Sequence, residues 1–169
     1  LCHRRGRKSV RLNSGVRAHI VNHPLDQLEY VATTTQILSA FQTLEFALKV
    51  YIASAHKVIS VRLNGDLPYK YSMKSVKKLP LKNLLGVFQN LSDNVALAKR
   101  IEKLCEIRND VAHQALLVRH AELADILGQT MDKRHIDLKE AYAEVDSCLM
   151  DLNSELAKVF ALLPKASGP

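Results

Sequence analysis

The chain contains no tryptophan, and aromatic residues make up only 5% of it. Glycine and proline are scarce too, six and five among 169 residues. Long segments therefore carry no backbone breaker, and no strand pattern or internal repeat emerges. The expected fold is all-α. Long hydrophobic runs are missing, since no apolar stretch approaches the ~20 residues that a membrane span needs. Leu1 to Pro24 has no apolar core, so no signal peptide is expected and the protein is read as cytoplasmic. The three cysteines, Cys2, Cys105 and Cys148, form no CxxC and no Cys/His cluster. That argues against a disulfide framework and a zinc site, and fits a reducing compartment. Gly-rich phosphate loops and a Gly-x-Ser-x-Gly elbow are absent. Asp26 and Glu29 make no ligand set with a histidine at metal spacing. No metal and no cofactor is therefore expected.

Acidic residues are missing from one region. Residues 1–24 hold Arg4, Arg5, Arg7, Lys8, Arg11 and Arg17 with no acid among them. The net charge is +7, from 24 basic and 17 acidic residues. Everything after residue 24 thus sums close to neutrality, and the pI of about 9.4 belongs to the arm. Arg4, Arg5, Arg7, Lys8 and Arg11 are candidate RNA phosphate contacts. A solvated tail or a cloning-derived extension explains the same letters. The expected organisation is a basic arm over 1–23, one helical domain over 24–163 and a tail over 164–169. Ser167-Gly168-Pro169 reads as a cloning remnant, and Leu1 in place of Met leaves room for residues upstream.

What is present is helical periodicity. Asn22 can cap a helix with Pro24 in its first turn. Leu25, Leu28, Val31, Leu38, Phe41, Leu44, Leu48, Tyr51, Ile52, Ala55 and Ile59 then step by three and four. This predicts a helix to about Val61, long enough that either a break at Thr33-Thr34-Thr35 or a dimer contact is expected. Asn64-Gly65-Asp66-Leu67-Pro68 is a turn signal. The loop after it carries Tyr69, Lys70, Tyr71, Lys74, Lys77 and Lys78, letters that suit either RNA stacking and phosphate contact or an ordinary surface. Leu81 to Phe88 predicts a short helix. Ser92 or Asp93 should cap the next, with Val95, Ile101, Leu104, Cys105, Val111 and Leu116 as its core stripe. Ala121 to Leu127, closed by Gly128, predicts another short helix. Asp137-x-x-Glu140 reads as a capping box for the last helix, through Val145, Leu149, Leu152, Leu156, Val159 and Leu162. Cys105 and Cys148 fall at apolar positions and should pack in the core.

The chemistry-bearing stretch is Arg108-Asn109-Asp110-Val111-Ala112-His113. An imidazole moves protons to or from a ribose 2′-hydroxyl or a 5′-leaving oxygen. A guanidinium holds a phosphate bidentately and stabilises developing charge. Asn109 stands four residues before His113, so on a helix its amide lies beside the imidazole. Arg108 and His113 are about 140° apart around a helix, so both cannot point into one core. Arg17 and His23 offer a looser pair without helical context. His56 falls on a charged helical face, and no role is expected for it.

An Arg-x4-His late in a helix of an all-helical domain resembles the HEPN superfamily. Asn after the Arg is a common form there, and Glu45-x3-Lys49 on the first long helix matches the Glu that several HEPN ribonucleases add. The resemblance covers roughly residues 22–163. It implies a helical bundle of about four to six helices with a long first helix, and a homodimer whose two motifs meet in one cleft. It also implies metal-independent RNA cleavage, as in toxin–antitoxin, phage-defence and CRISPR proteins. His113 would be the general acid or base, or would position the attacking 2′-oxygen, and Arg108 would bind the scissile phosphate. Glu45 would orient Arg108 or Lys49, Lys49 would contact RNA, and Asn109 would orient His113. An antitoxin or other regulatory protein is a further expected partner, and no membrane is. Two alternatives remain: a non-catalytic helical module that binds a protein, and an RNA-binding regulator working through residues 1–24.

Overall fold

A computed structural model describes residues 24–63, 65, 67–117 and 131–163. Among them lie five helices and no strand: α1 (Pro24–Leu63), α2 (Lys74–Lys77), α3 (Leu81–Gln89), α4 (Val95–Leu117) and α5 (Met131–Ala161). The fold is an all-α bundle with a long first helix.

α1 runs 40 residues without a break, about 60 Å at 1.5 Å per residue. No Gly or Pro follows Pro24 within it. The expected interruption at Thr33–Thr35 does not occur. Thr35 donates its hydroxyl to the Val31 carbonyl at 2.8 Å, and Thr33 and Thr34 are buried. Burial holds these β-branched residues in the helix despite their weak propensity.

Cross-helix pairs fix the directions. Lys139 reaches Glu29 at 3.4 Å, while Tyr51 and Val159 line one cleft farther along, so α1 and α5 run parallel. Asn94 bonds Glu155 and Arg100 bonds Glu144 and Asp151, so α4 runs antiparallel to α5. Arg108 against Glu45 and Tyr51 against the Leu91 carbonyl give the same sense for α4 on α1. The largest interface is between α1 and α5, and α3 packs on both α1 and α4.

The core gathers Phe41, Leu44, Leu48 and Ile52 of α1 with Leu84 and Phe88 of α3, Ile101 and Leu104 of α4, and Val145 and Leu152 of α5. Tyr51 meets Phe88 edge to face, with ring centroids 4.9 Å apart. Cys105 and Cys148 are buried free thiols, as expected. Burial raises both thiol pKa values, and that of Cys148 is pushed up to about 11, which leaves them poor nucleophiles.

Four expectations need correction. Leu28 and Val31 near the start of α1, Val95 at the start of α4 and Leu162 just past α5 are exposed. α4 is capped by Asn94, not Ser92 or Asp93. Its Oδ1 accepts from Leu97 N at 3.0 Å while its Nδ2 donates to Glu155 Oε1 at 2.9 Å. α5 begins at Met131, six residues before the supposed capping box, since nothing between 131 and 137 breaks a helix. His56 is half-buried, not a solvent-facing charged-face residue. The predicted helix over Ala121–Leu127 and the arm lie outside the described residues.

Candidate functional site

α4 carries Arg108 and His113 in its second half, five residues and therefore about 7.5 Å of rise apart. Val111 is buried and fixes the rotation of this stretch. Arg108 consequently turns toward α1, where its Nη2 stands 3.6 Å from Glu45 Oε1. The Glu45 side chain is 19% exposed and that of Arg108 38%. A pair this accessible contributes at most about 1 kcal/mol to stability, so its significance is positional. Lys49 lies one turn beyond Glu45 and is half-buried.

Asn109 is exposed, and its Oδ1 accepts from Arg108 Nη1 at 3.3 Å. The amide thus turns to the guanidinium next to it. Glu45 and Asn109 together hold the Arg108 head group at the α1–α4 seam. His113 is exposed on another sector of α4, in keeping with the 140° separation. The structure brings Glu45, Arg108 and Asn109 together, with Lys49 one turn along α1 from Glu45 and His113 on another sector of α4. Arg4, Arg5, Arg7, Lys8 and Arg11 lie outside the described residues.

Two further clusters are not legible in the sequence. Arg100 donates to Glu144 Oε1 at 2.6 Å, Asp151 Oδ2 at 2.5 Å and Ser147 Oγ at 2.7 Å. The Arg100 hydrogen bond holds the Glu144 carboxyl below its usual range. This is a clamp between α4 and α5. At the end of α1, His56 stacks on Tyr71 with centroids 3.8 Å apart and hydrogen-bonds the Tyr69 hydroxyl. Burial lowers the His56 pKa. Both tyrosine rings are thereby packed onto α1, which disfavours the reading of this loop as a base-stacking platform.

A cleft of about 510 Å³ opens at the other end of the α1–α4 seam, lined by Tyr51, Leu91, Ser92, Asp93, Glu155, Lys158 and Leu162 among others. Its buried Glu155 already bonds Asn94 and Lys158, the latter at 2.8 Å. Among the described residues no group of three or more His, Cys, Asp or Glu is arranged to hold a metal, and no helix is long and apolar enough to cross a membrane.

No protein-family model, curated protein or solved structure matches this chain.

Proposed function

We propose that the protein is a metal-independent endoribonuclease of HEPN type, acting as a toxin or phage-defence effector. The observation that most supports this reading is the Glu45–Arg108 contact across α1 and α4, between residues 63 apart in sequence. A guanidinium is thereby held by a carboxylate and the Asn109 amide at an accessible seam, with Lys49 one helical turn from that carboxylate. In the proposed reaction a ribose 2′-oxygen attacks the adjacent phosphorus and loses its proton to a base. The P–O5′ bond breaks, and the 5′-oxygen takes up a proton. Products are a 2′,3′-cyclic phosphate and a 5′-hydroxyl. His113 moves one of these protons. Arg108 binds the non-bridging oxygens and stabilises the charge that develops on them.

One protomer carries Arg108 and His113 on different sectors, so the reaction calls for a second copy that supplies the opposing histidine. A homodimer closed by a two-fold axis is the simplest such arrangement. The direct test is cleavage of RNA by the wild type and by His113→Ala in the presence of EDTA, with the fold followed by circular dichroism.

A second reading has its own support. Phe46, on α1 one residue from Glu45, is 67% exposed, and Leu28 and Val31 are exposed nearer the start of the helix. Exposed large apolar side chains along one helix suit a protein-binding module. In that case His113→Ala leaves no catalytic defect, and substitution of Phe46 disrupts complex formation.

A further inference from the structure

Neutrality of the sequence after residue 24 conceals a strong polarity. Residues 57–82 contain Lys57, Arg62, Lys70, Lys74, Lys77, Lys78 and Lys82 against the single Asp66. Those seven cations leave eleven basic and sixteen acidic residues for the rest of 25–169. The bundle therefore has one net positive region, and its remainder is net negative. All seven cations are exposed, and among the described residues none is paired with a carboxylate.

The fold packs the segments that carry these residues back on α1. The loop after α1 folds back along it, held by Tyr71 and Tyr69 on His56. Val76 anchors α2 in the core, which turns Lys74, Lys77 and Lys78 outward. Leu81 and Leu84 anchor α3 against α1 and α4, with Lys82 exposed between them. Lys82 stands in the first turn of α3, which packs on α4, the helix that carries Arg108.

We propose that the end of α1, the loop after it, α2 and the start of α3 form a track for the sugar–phosphate backbone of RNA, leading a strand toward Arg108. Only the destination of the strand rests on the ribonuclease reading, while the binding does not depend on it. Unpaired, flexible lysines at several points suit a sequence-blind series of phosphates. With Tyr69 and Tyr71 occupied by His56, the track binds through charge and not through base stacking. Exposed Leu67 and Met73 fall within the strip. They do not make an amphipathic membrane face, because α2 has only four residues and its Val76 points inward.

The test measures binding of a fluorescent, mixed-sequence 2′-deoxy oligonucleotide to the full chain across a salt titration. Such a strand lacks the attacking hydroxyl, so binding is read apart from cleavage. Combined Lys74→Ala, Lys77→Ala and Lys78→Ala should weaken binding roughly tenfold to a hundredfold near ~0.1 M salt and reduce the log–log salt slope by about 2, at ~0.7 for each phosphate no longer neutralised. Combined Lys57→Ala and Arg62→Ala on α1, which leaves α2 untouched, should reduce it by about 0.7 to 1.4, because the two stand about 140° apart around the helix. Combined Lys99→Ala and Lys103→Ala on α4, outside the strip, should leave affinity and slope within error of wild type. Equal affinity and slope in wild type and both strip variants overturns the proposal. So does strip-dependent binding to phosphatidylserine vesicles without binding to the oligonucleotide. Strip-dependent binding in a protein that cuts no RNA supports the track and rejects the ribonuclease.

Discussion

Replacing Asn94 separates two interactions that meet at the start of α4. Its Oδ1 accepts from Leu97 N at 3.0 Å, and its Nδ2 donates to the buried Glu155 at 2.9 Å. Asn94→Ala removes both. Losing a cap costs about 1 kcal/mol. Losing a hydrogen bond to a charged group costs about 1.5 kcal/mol more, at the low end because Lys158 still holds Glu155. The expected total is about 2.5 kcal/mol, or roughly 5–10 °C in Tm for a chain of this size. Asn94→Ser keeps a capping oxygen and removes the amide donor, so it should cost only about 1.5 kcal/mol. The assay is thermal and urea unfolding followed by helix circular dichroism. Lys158 and Asn94 hold the Glu155 carboxyl below its usual range against the opposing effect of burial. A depressed carboxylate contributes its stability above the unfolded-state pKa and loses it as pH falls through the folded-state value. The gap between wild type and Asn94→Ser should therefore narrow below about pH 4. Equal losses for Ala and Ser would refute the capping role, and a gap independent of pH would refute the role of Glu155.

Thr34 Oγ1 is buried without a hydrogen-bond partner. Thr34→Val should therefore raise stability, by about 1 kcal/mol in urea unfolding, since an unsatisfied buried hydroxyl is removed at nearly constant shape. Arg100→Met should flatten the acid limb of the stability curve. Glu144 is held low by Arg100 in the folded protein, so wild type loses this contribution as pH falls below the ordinary carboxylate range, and the variant has none to lose. Light scattering at micromolar concentration should give a dimer mass, and a clean monomer would contradict the two-copy site.

Much of the bundle is legible in the sequence because buried apolar side chains in a helix repeat every three or four residues. Phe41, Leu44, Leu48, Tyr51, Ile52 and Ala55 follow that rule into the core, as do Ile101, Leu104 and Val111. Periodicity does not report which side chains the neighbouring helices cover, so it assigns Leu28 and Val31 to the core although both are exposed. The cap of α4 is ambiguous in the sequence because Ser92, Asp93 and Asn94 all suit the position. The choice is made by Glu155, 61 residues away. The seam between Glu45 and Arg108 is reachable only through the family resemblance, as side-chain spacing within one helix carries no information on its partner helix. The Arg100 clamp gives no signal at all, since an arginine whose acidic partners stand on another helix looks like surface charge. Summed charge misleads in the same way. A near-zero total hides the cationic strip over residues 57–82.

The central claim is that Arg108 and His113 cleave RNA without a metal. The most direct measurement is the rate of cleavage of a single-stranded RNA by wild type, Arg108→Ala and His113→Ala in excess EDTA, with product ends identified. The account predicts wild-type cleavage to 2′,3′-cyclic phosphate and 5′-hydroxyl ends, and a loss of ~10²–10⁴ in each variant with helical content unchanged. Cleavage abolished by EDTA, or full activity in either folded variant, would contradict it.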